Sequence, residues 1–185
     1  TLPTFLNNNG SSAVSFEVIA TSSAIKITDI ANLWNSGVTS TDIWIKQGAI
    51  NGSGSLTVST ATGWSQHQVG ATVSGANGNS PVWIQNMTPI NVAAGDTLGI
   101  VITGSMRYYT ATSAPTTTFP GAFATLAAGS LSNGFGGVVP TLSNDPRGFL
   151  GSVVVELDLL GNCANSFTNV ITDSILSSSA KIDWT

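Results

Sequence analysis

The chain has 185 residues, 42% of them hydrophobic and only 8% charged, with five Lys+Arg against nine Asp+Glu for a formal net charge of −4. Soluble domains ordinarily carry about 25% charged residues, so this surface must be polar yet mostly uncharged. With no basic cluster to track phosphates, nucleic-acid binding is excluded and an anionic membrane surface is a poor partner.

Along the chain, apolar and polar residues alternate with the period of two that marks strands with one buried face. Val14, Phe16 and Val18 alternate with Ser15 and Glu17, and Ile25 and Ile27 flank Lys26. Ile43 and Ile45 flank Trp44, which faces away from both. That strand therefore bears large apolar groups on both faces, and both are expected to be covered. Further strands are predicted over Trp64–Val69, Val82–Ile84, Thr97–Ile102 and Gly151–Leu159. Between them lie turn signals at Asn51-Gly52, Asn77-Gly78, Ala94-Gly95-Asp96 and Asn133-Gly134, residue types that tolerate the positive φ of tight turns. The Thr-, Ala-, Pro- and Gly-rich stretch Ala111–Gly137 is too long for a hairpin loop and reads as a surface excursion holding one or two short strands. Short strands punctuated this often predict an all-β fold, an antiparallel β-sandwich or jelly roll, over residues 1–160.

Past Leu160 the texture changes. Gly161-Asn162-Cys163-Ala164-Asn165 has the character of a linker, and a second alternating stretch ends at Trp184. Cys163 is the single cysteine, which excludes an internal disulfide and a thiolate metal cage. No apolar run reaches the roughly 18 residues that span a bilayer. The opening Thr1-Leu2-Pro3-Thr4 lacks the charged flank and apolar core of a signal peptide, so a secreted protein would have lost its signal already. About a third of the chain is Ser, Thr or Asn, with 20 Gly besides, a texture that points to the cell exterior.

Several segments carry a family resemblance: Asn7-Asn8-Asn9-Gly10-Ser11 followed by Phe16; Thr41-Asp42-Ile43-Trp44-Ile45-Lys46-Gln47-Gly48; Gly63-Trp64; Ile90–Gly99; Arg107-Tyr108-Tyr109; and Asp145–Val153. On these, residues 1–160 resemble a secreted β-sandwich module of large surface proteins from bacteria that use type IX or comparable outer-membrane sorting. The ending Ser179-Ala180-Lys181-Ile182-Asp183-Trp184 resembles the second strand of a fibronectin type III module. The resemblance implies a bacterial cell-surface location and a sandwich architecture, and it implies no catalytic activity. Residues 161–185 are then either the start of a fibronectin-like module or a strand exchanged with a neighbour.

The chemistry-bearing residues are few. His67, the one histidine, would share a strand face with Ser65, but two neighbours on one strand do not make a nucleophile and base without an orienting acid. Glu156 and Asp158 alternate with Val155, Leu157 and Leu159, which reads as a solvated strand face before it reads as a glycosidase pair. No cofactor is expected. A structural calcium would draw on Asp29, Asp42, Asp96 and Asp145, although no EF-hand spacing is present. Arg147 is expected to pair with a carboxylate within the domain. An enzyme is not expected, because titratable groups are too scattered for acid–base work.

Two readings remain. The first is a non-catalytic structural or adhesive module that partners other copies of itself or neighbouring modules, with Ser166–Thr185 or Thr1–Phe16 adding to the next subunit's sheet as in a fibre. The second is a carbohydrate-binding module stacking sugar rings on Trp34, Tyr108 and Tyr109, placed at loop edges, and on Phe135. Short modification signals accompany both: Asn9, Asn51 and Asn86 for N-glycosylation, and Thr97 and Ser174 in motifs resembling a bacterial O-glycosylation acceptor.

Overall fold

The structure is a computed structural model that describes residues 9–50, 56–110, 118–127, 132–133, 141–142, 147–159, 170–176 and 179–184. In chain order the strands are β1 (Asn9–Ala20), β2 (Ile25–Asn32), β3 (Ser40–Gln47), β4 (Leu56–Thr57), β5 (Ser65–Val73), β6 (Val82–Gln85), β7 (Ile90–Val92), β8 (Thr97–Thr110), β9 (Thr118–Pro120), β10 (Ala124–Ala127), β11 (Ser132–Asn133), β12 (Thr141–Leu142), β13 (Arg147–Gly148), β14 (Gly151–Leu157), β15 (Val170–Leu176) and β16 (Ser179–Trp184). The pairings between these strands are antiparallel, and the fold is the all-β sandwich that alternation predicted.

Hydrogen bonding runs along one path, β14-β2-β6-β5-β3-β8-β1-β10-β9, with β7 beside β2, β11 beside β1 and β13 beside β8. The path doubles back at β6. Val82 and Trp83 pair with Asn32 and Ala31 of β2, whereas Ile84 and Gln85 pair with Val73 and Thr72 of β5. One short strand therefore belongs to both layers and closes that side of the sandwich. Its two far ends, β9 and β14, face each other on the opposite side.

Each face of the β1-β8-β3 centre is covered for a different reason. Val14, Phe16 and Val18 of β1, Ile43 of β3, and Ile100 and Ile102 of β8 point inward and meet Ile25, Ile27 and Ile30 of β2 in the main core. Burying each such side chain stabilises the fold by about 1.5–3 kcal/mol. The alternate residues Ala13, Trp44 and Val101 point outward into a second cluster roofed by Ile50, Val58, Trp64 and Leu142. Trp44 thus fills the outer face of its strand while Ile43 fills the inner one, and both are buried, as expected from the sequence.

β5 departs from plain alternation. Thr41 opposes Ala71 and Ile43 opposes Gln68, so Asp42 faces the two residues Val69 and Gly70 across a bulge. The Asp42 carboxylate holds that bulge by accepting the Gly70 N–H at 2.7 Å.

β15 and β16 pair with each other in a sheet of their own, with a register shift between Thr172 and Ser174. Val170 lies opposite Trp184, Thr172 opposite Ile182 and Ile175 opposite Ala180.

Candidate functional site

The two ends of the strand path bound an open apolar cleft of about 270 Å³. One wall comes from Phe119, Pro120 and Gly121 at the β9–β10 turn, with Ala124 and Leu126 of β10. The other comes from Ser152, Val153 and Val155 of β14, and Val18 of β1 lies between the walls. Phe119, Val153 and Val155 pack against the main core yet are only partly buried. The core is therefore sealed by β6 on one side and, among the described residues, left open at this seam.

β14 is held in place at its start. Phe149, just before it, stacks on Phe16 with ring centroids 4.1 Å apart, and the Leu33 N–H donates to the Leu150 carbonyl at 3.0 Å. Gly151 lies so close to β2 that a Cβ there would overlap the Ala31 carbonyl oxygen and come within 2.6 Å of Phe149 Cζ. From that anchor β14 runs beside β2 as far as the Leu157–Ile25 pair, and the register shift between Val154 and Val155 puts the extra residue, Thr28, on β2. β14 itself is regular.

Among the described residues β14 pairs with β2 alone, so its other edge is free. Natural edge strands are usually blunted by Pro, Lys or a bulge of their own, and Gly151-Ser152-Val153-Val154-Val155-Glu156-Leu157 contains none of these. Val154 points outward and is 37% exposed. Glu156 is the single charge on the strand, directly opposite Lys26 of β2.

The residues singled out in the sequence are not brought together here. Trp34 is in the core rather than at a loop edge: it is 0% exposed, and its Nε1–H donates to the Val82 carbonyl at 3.1 Å. Tyr108 is likewise buried, at 3% exposure, with the Arg147 guanidinium 5.8 Å above its ring. Neither ring offers a face for stacking a sugar. Tyr109 belongs to β8, opposite Gly148 of β13, and Phe135 lies outside the described residues. Trp83 of β6 and Phe123 of the turn between β9 and β10 are exposed aromatics, and they stand on different parts of the fold.

His67 is tied to a backbone carbonyl, its Nε2 lying 2.8 Å from the Thr88 oxygen, while Ser65 opens β5 opposite Ile45. Glu156 ends the exposed face of β14, and Asp158 follows the strand with its N–H donating to the Ala24 carbonyl at 2.9 Å. Of the calcium candidates, Asp42 serves the β5 bulge, Asp29 pairs across to Val154 and Asp145 lies outside the described residues. Asp96 lines a shallow cleft with Gln47, Asn91, Val92 and Asp158. No three His, Cys, Asp or Glu side chains come together among the described residues. Thr97 opens β8 opposite Ile19, Ser174 is in β15 opposite Lys181, and Asn86 forms the turn after β6 with φ 52°. Cys163 is outside the described residues.

The seam itself was not anticipated from the sequence. Its walls come from segments some thirty residues apart, and alternation marks β14 as a strand without saying whether a partner lies on each side. The signal that was available is the valine run Val153-Val154-Val155, which on a strand places an apolar residue on the solvent face.

No family model, no curated protein and no solved structure matches this chain. No helix among the described residues is long and apolar enough to cross a membrane.

Proposed function

We propose that this chain is a non-catalytic structural or adhesive β-sandwich module of a bacterial cell surface, and that it associates with copies of itself or with neighbouring modules by strand addition at the free edge of β14. The observation that carries this reading is the β14 edge beside an apolar seam, where the core of the described residues is open on one side. A strand added there satisfies the N–H and C=O groups of β14 that have no partner among the described residues and covers Val153 and Val155, gaining main-chain hydrogen bonds and apolar burial together. Low charge favours the same outcome. With 8% charged residues, two such surfaces meet with few ions to desolvate and little repulsion.

The test is the mass of the full chain by light scattering over a concentration series, beside Val154→Lys, which places a charge on the exposed edge. Wild type is expected to grow in mass with concentration, while the variant keeps its β-sheet spectrum and the mass of one chain. A wild-type chain that stays monomeric throughout would overturn the reading.

A further inference from the structure

We propose that the strand received by β14 is β16 of a second copy, laid antiparallel in the register that sets Lys181 opposite Glu156. This rests on the self-association reading above and specifies its partner.

The argument is one of matching edges. β16 pairs with β15 alone among the described residues, so it too has a free edge. A two-stranded ribbon is marginal by itself in water. Along β14, Val153, Val155 and Leu157 occupy the core-facing positions and Val154 and Glu156 the outer ones. A strand completing the core must supply apolar residues at every second position, and Ala180, Ile182 and Trp184 are such a set.

Direct opposition then fixes the rest. In an antiparallel pair, opposed residues share a face. With Lys181 opposite Glu156, Ile182 falls opposite Val155, Trp184 opposite Val153 and Ala180 opposite Leu157. All three core-facing positions receive an apolar partner, and the one charge on β14 meets a charge of opposite sign. Sliding by one residue turns the apolar set outward. Sliding by two either places Asp183 opposite Glu156, a like-charge pair, or leaves Lys181 opposite Val154 and the last core position without its partner. One register satisfies both pattern and charge.

Trp184 would then lie beside Val153, at the wall of the 270 Å³ cleft. Each copy carries one β14 edge and one β16 edge. The contact is therefore head to tail, and it generates open filaments unless its rotation closes a ring.

The experiment uses the full chain with Cys163→Ser, Val154→Cys and Asp183→Cys, the last two directly opposed in the proposed register. Under mild oxidation a ladder of covalent dimers, trimers and longer species is expected on a non-reducing gel. Lys181→Glu alone should weaken self-association about tenfold, as an opposed attraction becomes a repulsion, and Glu156→Lys together with Lys26→Glu, which keeps opposite charges across to β2, should restore association. A disulfide confined within single chains, or no disulfide in a sample that still self-associates, would overturn the proposal. If Val154→Lys nevertheless abolishes association, β14 is still the interface and takes another strand. If wild type never associates, the self-association reading fails with it.

Discussion

Glu17, on the outer face of β1, is 2% exposed and accepts the backbone N–H of Ile50 at 2.5 Å. A buried carboxylate thereby fixes the residue that starts the roof of the outer cluster. Ile50, Val58 and Trp64 can cover Trp44 only if the chain leaving β3 turns back over the sheet, and this bond holds the turn.

Replacing Glu17 by Ala should therefore loosen the roof first. A hydrogen bond to a charged group contributes about 1.5–3 kcal/mol, and Glu17→Ala is expected to lower stability by about that amount. Glu17→Gln keeps an acceptor oxygen and should lose less. Urea unfolding gives the magnitudes, and hydrogen exchange at the Ile50 amide gives the location. An unchanged exchange rate in Glu17→Ala would refute the role.

Trp34 and Trp83 should behave oppositely. Trp34→Ala empties a fully buried site, for which about 3–5 kcal/mol is expected. Trp34→Phe fills most of the space but strands the Val82 carbonyl, at about 1 kcal/mol. Trp83, 41% exposed, should tolerate Ala within about 0.5 kcal/mol. Equal losses at the two positions by chemical denaturation would contradict this placement.

Gly104 should not accept a side chain. It adopts φ +115°, and a Cβ there would lie 3.3 Å from the Ser40 carbonyl oxygen and 3.4 Å from Trp34 Cζ3. Gly104→Ala is expected to cost about 1–3 kcal/mol for the backbone conformation, with a further loss as Trp34 is displaced. The comparison to make is its melting temperature against that of Trp34→Phe, which leaves the backbone alone; a smaller drop for Gly104→Ala would count against the packing described.

At the β5 bulge, Asp42→Ala leaves the Gly70 N–H without its carboxylate. About 1 kcal/mol of stability should go with it, while Asp42→Asn, which retains an oxygen, should recover part. If both variants melt with wild type, the bulge does not depend on this contact.

Much of the sandwich was legible because alternation is a local signal. Val14–Val18, Ile25–Ile27 and Ile43–Ile45 each fall within an observed strand, and Trp44 disclosed the covered outer face of its strand. Tyr108 and Trp34 were misplaced at loop edges for one shared reason. β8 does not stop near Ile102 but continues past Gly104 to Thr110, and Trp34 packs in the space left by that glycine's missing side chain. Nothing within a few residues of Asn35-Ser36-Gly37 discloses a strand that arrives seventy positions later. The seam was hidden in the same way, because an edge is defined by which strand fails to arrive.

The shared strand β6 makes the two layers the covers of a book. Val82–Gln85 is the spine, stitched to one cover at Ala31 and Asn32 and to the other at Thr72 and Val73, and the seam is the fore-edge. Backbone bonds from the Asn35 N–H to the Ser105 carbonyl and from the Arg107 N–H to the Leu33 carbonyl stitch the covers a second time, so parting is expected first at the fore-edge, where no strand pairing joins them among the described residues. A strand bound there acts as a clasp: it would shut the book, and slow hydrogen exchange across the whole core rather than at β14 alone.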